Sequence, residues 1–129
     1  MSDRVSFEYS NRPLDVVPQS GALVLVIPRG VLQKGKLFEI YSRGLRFPPY
    51  FGEKWDAFEE CLGDLSWLKR PTKVYVLHES HPFTTDSQDL KTYLQILKAR
   101  TEDTTVLQLE FHMRFALRHR LLFQRILAN

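Results

Sequence analysis

Residues 22–27, Ala-Leu-Val-Leu-Val-Ile, form an uninterrupted aliphatic run bounded by Gly21 and Pro28. Six residues cannot cross a bilayer, which takes about 20. Val24, Val26 and Ile27 are β-branched and favour extended chain over helix. With no polar residue on either alternating face, the run has the pattern of a central strand buried on both sides. Such a strand calls for helices to cover it, and the rest of the chain supplies helical patterns between further strand patterns.

Val5, Phe7 and Tyr9 alternate with polar residues as in a half-buried or edge strand, which Asn11-Arg12-Pro13 ends. Leu37, Ile40 and Tyr41 recur at helical spacing and predict a helix over 34–42 that Gly44 can stop. Paired prolines make 47–52 a loop, and Gly52 permits a turn there. Trp55, Phe58, Cys61 and Leu62 share one face of a helix over 55–62, with Glu53 and Asp56 near its positive end. A strand is expected over 73–78, with Val74, Val76 and His78 opposite Tyr75 and Leu77. A helix over 86–100 follows, striped by Leu90, Tyr93, Leu94 and Leu97. Val106, Leu107, Leu109 and Phe111 suggest a strand over 105–111. The tail over 114–127 reads as a last helix, with Phe115, Ala116, Leu122, Phe123, Ile126 and Leu127 on one arc and Arg114, Arg118 and Arg125 in a basic stripe. The alternation predicts one α/β domain over the 129 residues, with a small, mainly parallel sheet and right-handed crossovers.

The start, Met1-Ser2-Asp3-Arg4, lacks the pattern of a secretory signal, so a cytoplasmic protein that does not span a membrane is expected. Cys61 is the only cysteine, which excludes an internal disulfide and a cysteine-based metal cluster; a buried, inert thiol is expected. The net charge of +3 is unevenly spread. Residues 45–68 carry Glu53, Asp56, Glu59, Glu60 and Asp64 against Arg46 and Lys54, a net of −3 that leaves +6 elsewhere. An acidic patch on a basic chain is a candidate recognition surface. Asp56 and Glu60, spaced i, i+4, project side by side from one helix face.

The segment Phe47-Pro-Pro-Tyr50-Phe51-Gly52-Glu53-Lys54-Trp55-Asp56-Ala57-Phe58-Glu59-Glu60-Cys61-Leu62 resembles the signature of the barstar family. That signature runs from an apolar residue and Pro through Tyr, an aromatic and Gly to Asp-Ala, an acid and Cys-Leu. The order of strands and helices agrees from about 22 to 111. The resemblance implies a three-stranded parallel sheet flanked by helices, with the N-terminal segment and the C-terminal helix as additions. It also implies a non-enzymatic, antitoxin-like inhibitor, without a cofactor, that plugs the active site of a ribonuclease or related nuclease toxin. By the same resemblance Asp56 and Glu60 are the central binding acids, Tyr50 is a loop anchor, and Gly52, Lys54 and Glu59 complete the partner-binding surface. Chemically this is coherent: a cleft built of Arg, Lys and His to hold phosphates also accepts carboxylates. The sequence departs from the usual pattern at Lys54, where a neutral polar residue is usual, and from the best-known member at Glu59 and Ala99, where that member has a tryptophan and a further acid.

His78 and His81 have a spacing seen in metal sites, but surface or strand-end histidines are the expectation. His119 is expected as a satisfied packing residue. No phosphate-cradling glycine loop and no activated-nucleophile motif is visible. The alternative to inhibition is an interaction module that uses the basic tail to reach an acidic protein or nucleic acid, although direct nucleic-acid binding is the weaker expectation.

Overall fold

A computed structural model describes residues 7–15, 22–48, 54–68, 73–102 and 110–128. Among them the chain runs β1 (Phe7–Ser10), β2 (Ala22–Ile27), α1 (Lys34–Gly44), α2 (Trp55–Asp64), β3 (Lys73–His78), α3 (Ser87–Glu102), β4 (Glu110–Ala116), a 3-10 turn (Leu117–His119) and α4 (Arg120–Ala128). The strands form one sheet in the order β1-β4-β3-β2, with every neighbouring pair parallel. The sheet thus has four described strands rather than three; β1 adds the fourth by pairing Phe7 with Met113 and Tyr9 with Phe115.

The run expected at the centre of the sheet lies at its edge. Among the described residues β2 pairs only with β3, and Val24 and Val26 are 42% and 44% exposed. An all-aliphatic sequence does not distinguish a strand covered on both faces from one whose second face is only partly shielded. The interior positions belong to β3 and β4, and in β3 Val74 through His78 are all buried. The expected strand over 105–111 shares only its last two residues with β4, and 105–109 lie outside the described residues. Phe111, Met113 and Phe115 point into the core while His112 and Arg114 are half-buried on the other face. This period of two runs through Ala116, so the last helix begins at Arg120 and not at 114. Arg114, Phe115 and Ala116 therefore belong to the sheet, and the basic stripe expected from Arg114, Arg118 and Arg125 does not form.

All four helices contribute to the core formed on one face of the sheet. Leu25, Ile27, Val74, Val76, Phe111, Met113 and Phe115 meet Leu37, Phe38 and Tyr41 of α1, Phe58 and Leu62 of α2, Leu90, Tyr93, Leu94 and Leu97 of α3, and Phe123 of α4. α1 comes so close to β2 that a Cβ at Gly44 would fall 2.2 Å from Leu25 Cδ1, so a larger residue there would require the Leu25 side chain to move. The connections β2–α1–α2–β3 and β3–α3–β4 step across the sheet in one direction with their helices on this face. The step from β1 to β2 goes the opposite way, from one edge of the described sheet to the other. Arg114, on the other face of the sheet, donates to the carbonyl of Asp15, where the chain has just left β1.

A chain of hydrogen bonds runs through this framework from β4 to α1. His78 is fully buried at the end of β3 and stacks on Phe115 at 3.9 Å. Its Nδ1–H donates to the Arg114 carbonyl (3.0 Å), so Nε2 accepts from the Tyr93 hydroxyl (2.7 Å), whose oxygen accepts in turn from Tyr41 (2.6 Å). Burial lowers the His78 pKa to about 3 and keeps the ring neutral. On the opposite face, Glu8 of β1 accepts from Arg114 Nη2 (3.0 Å) and contacts His112 Nδ1 (2.5 Å). Tyr75 stacks on His112 at 4.5 Å. Burial alone would raise the Glu8 carboxyl, but the hydrogen bonds and charges of His112 and Arg114 hold it below its ordinary value.

Candidate functional site

Helix α2 begins at Trp55 after the extended residue Lys54, and its amphipathic pattern places Phe58, Cys61 and Leu62 in the core. Leu65, in left-handed conformation, closes the helix with a hydrogen bond from its N–H to the Cys61 carbonyl (3.2 Å). The Trp67 indole then donates to the Leu45 carbonyl (2.9 Å), which ties the two ends of the segment together. Burial, with the charges of Glu60 and Asp64, pushes the Cys61 thiol up, in line with an inert core cysteine.

The rest of the helix faces water. At roughly 100° per residue, Glu59, Gly63, Asp56, Glu60 and Asp64 succeed one another around the outer side, opposite the buried residues. All four acids are exposed, and none has an ion-pair partner among the described residues. Asp56 also lies in the first turn, where the helix dipole favours a negative charge. Lys54 is exposed at the start of this face. Tyr50 and Gly52 lie outside the described residues, as does Glu53.

Sequence reasoning missed the wall that α3 supplies. The Trp55 indole donates to Asp89 Oδ1 at 3.2 Å near the start of both helices, and Arg100 Nε donates to the Leu62 carbonyl at 3.1 Å near their ends. The two bonds hold α2 and α3 side by side and parallel. Between them lies a cleft of about 240 Å³ lined by Trp55, Asp56, Glu59, Thr92, Gln95 and Ile96. Trp55, expected as core, is half-buried and forms part of this lining. Asp56 and Glu59 bring carboxylates to one side and Thr92 and Gln95 bring neutral polar groups to the other, so the cleft suits a cationic side chain with an apolar stem. Glu60 stands beside Asp56 on the open surface. No motif could join residues 55–59 to 92–96; the signal would have been Thr92 and Gln95 lying off the apolar stripe of α3.

The family model described as Barstar (barnase inhibitor) matches residues 22–116. The chain belongs to the barstar family. The match takes in β2 through β4 and with them the acidic face of α2 and its cleft, whereas β1, the 3-10 turn and α4 lie outside it. No curated protein and no solved structure matched the chain. The description names barnase as what the family inhibits.

The histidines form no second site of this kind. Among the described residues no group of three or more His, Cys, Asp or Glu side chains could hold a metal ion. His78 is a strand-end histidine, the last residue of β3, and it is buried with both ring nitrogens engaged in the core. His119 is not satisfied as expected: it lies on the 3-10 turn, edge-on to His81 at 4.5 Å, and its buried Nδ1 has no hydrogen-bond partner among the described residues. Burial, followed by the nearness of His81 and Arg118, lowers its pKa to about 4. Among the described residues no helix is long and apolar enough to cross a membrane.

Proposed function

We propose that this chain is a proteinaceous inhibitor of the antitoxin or immunity type, acting in the cytoplasm on a ribonuclease or related nuclease toxin. The supporting observation is the arc of four exposed carboxylates on α2, without ion-pair partners among the described residues, beside the α2–α3 cleft and inside the region matched to the barstar family. In this reading Asp56 and Glu60 take the places of substrate phosphates and meet Arg, Lys or protonated His of the nuclease. Glu59 receives a further cation at the cleft. Tyr50, Gly52 and Lys54 are the further partner-binding residues, the tyrosine as a flat amphipathic contact. The chain itself performs no catalysis and needs no cofactor.

A carboxylate can replace a phosphate in this way because a nuclease cleft has already been desolvated around its cations for an anionic ligand. The inhibitor then gains charge-assisted hydrogen bonds, roughly twice as strong as neutral ones, at sites the enzyme cannot neutralise. The test is titration of the chain into a barnase-type ribonuclease or a nuclease from the same source while RNA cleavage is followed. Stoichiometric loss of cleavage, relieved by excess mononucleotide, is expected. Full activity at saturating chain, with every nuclease of the source tried, contradicts the proposal.

A further inference from the structure

The last nineteen residues, 111–129, contain four arginines and no acid. Arg114 is taken up by Glu8. Arg118, Arg120 and Arg125 are exposed and have no ion-pair partner among the described residues. Helix α4 turns Phe123 into the core, where it packs edge-on to Phe115 at 4.7 Å and to Phe7 at 6.4 Å, with Ile126 and Leu127 half-buried on the same side. At roughly 100° per residue, the outermost position of the helix then falls to Leu121, with Arg125 one turn beyond it. Leu121 is 72% exposed, the most exposed of the large apolar side chains described, and Leu117 and Leu122 are exposed near it. This leaves leucines in water among uncompensated arginines.

We infer that this face, formed by the 3-10 turn and α4, docks on an anionic lipid surface. The two halves of its chemistry choose the occupant. Arginines at a bilayer interface meet phosphates, and leucines beside them enter the boundary between headgroups and acyl chains. An RNA backbone answers the arginines and leaves Leu117, Leu121 and Leu122 without an apolar partner. The acidic arc of α2 on a second copy has the same defect, since its exposed side chains are carboxylates. The face lies outside the barstar-family match and is separated from α2 by α3, which packs against both helices. Lipid docking therefore leaves the acidic face open.

The test is sedimentation of the full chain with vesicles of equal parts phosphatidylglycerol and phosphatidylcholine, against vesicles of phosphatidylcholine alone. Binding is expected to the anionic vesicles only, and to fall with added salt. Each arginine should contribute about fivefold, so the combined Arg118→Gln, Arg120→Gln and Arg125→Gln variant should bind about a hundredfold more weakly. Leu121→Ser should lose about tenfold. The substituted side chains are exposed, and unchanged melting temperatures check that the variants are folded. Absence of binding to anionic vesicles, or binding that survives the triple substitution, overturns the inference. So does tight binding of a single-stranded RNA oligonucleotide that depends on the arginines, is indifferent to Leu121→Ser and is not matched by any vesicle binding; that result would give the face to nucleic acid.

Discussion

Carboxylates occupy two regions of this molecule under opposite conditions. On the sheet face away from the helices, Glu8 is half-buried and held by Arg114 and His112, so its charge is spent joining β1 to β4. On α2, Asp56, Glu59, Glu60 and Asp64 crowd one exposed arc, and none of them has an ion-pair partner among the described residues. The first arrangement stabilises a fold. The second slightly weakens its own helix, because like charges one turn apart repel. The difference separates charges that serve the structure from charges left for a partner, and it can be tested one region at a time.

The largest effect should come from the α2 arc. Asp56→Ala and Glu60→Ala should each weaken a nuclease complex by about 2–5 kcal/mol, a range drawn in part from complexes of this same family, because the partner's cation is left buried and unpaired. Binding isotherms would measure the loss, and melting curves should show the free protein unchanged to within about 0.5 kcal/mol. Comparable losses of stability would erase the contrast between the two regions.

The core should dominate the response to acid. His78 has its folded pKa at about 3 against 6.5 when unfolded, so it binds its proton more readily in the unfolded chain. Its contribution is fully present above pH 6.5 and is lost progressively as the pH falls towards 3, by a few kcal/mol in all. His78→Phe leaves the Tyr93 proton without its acceptor and should cost about 1–3 kcal/mol at neutral pH, while urea unfolding should show a flatter dependence across that window. An unaltered slope would mean that His78 is not the group responsible.

Glu8 should act lower on the pH scale. Its pKa is depressed from 4.5, so the stability it supplies is present above that value and is lost as the pH falls through the lower folded one. Glu8→Ala should destabilise the protein by about 1 kcal/mol, loosen β1 in hydrogen exchange and leave nuclease affinity untouched. The smallest effect is expected at Cys61, next to the acidic arc but turned into the core. Its labelling by a thiol reagent in the native protein should be slower than in urea by a factor that tracks global stability; rapid native labelling would place the thiol, and with it the orientation of α2, differently.

What could be read from the sequence followed from how local its signals were. The span of α2 and its buried residues came from four apolar positions at helical spacing, and the acidic arc came from the same spacing seen from the other side. β2 was recognised as a strand, but its place at the edge depends on which strand pairs beside it, and six aliphatic residues carry no mark of that. The last helix is expected from 114, inside what is β4, because Phe115 and Ala116 suit the inward side of a strand as well as of a helix; the polar residues His112 and Arg114 alternating with Phe111, Met113 and Phe115 hold the better clue. The α3 wall of the cleft is a product of packing between segments more than thirty residues apart, fixed by Trp55–Asp89 and Arg100–Leu62.

The central claim, that Asp56 and Glu60 stand in for phosphates, is tested most directly by a double-mutant cycle. Each of the two acids is truncated to alanine alone and together with each Arg, Lys or His of the nuclease active site, and the four affinities of every cycle are compared. The account predicts that each acid couples to at least one active-site cation by more than about 1 kcal/mol. Losses that add to within about 0.5 kcal/mol in every cycle would mean that neither carboxylate meets a cation in the complex, and would contradict the claim.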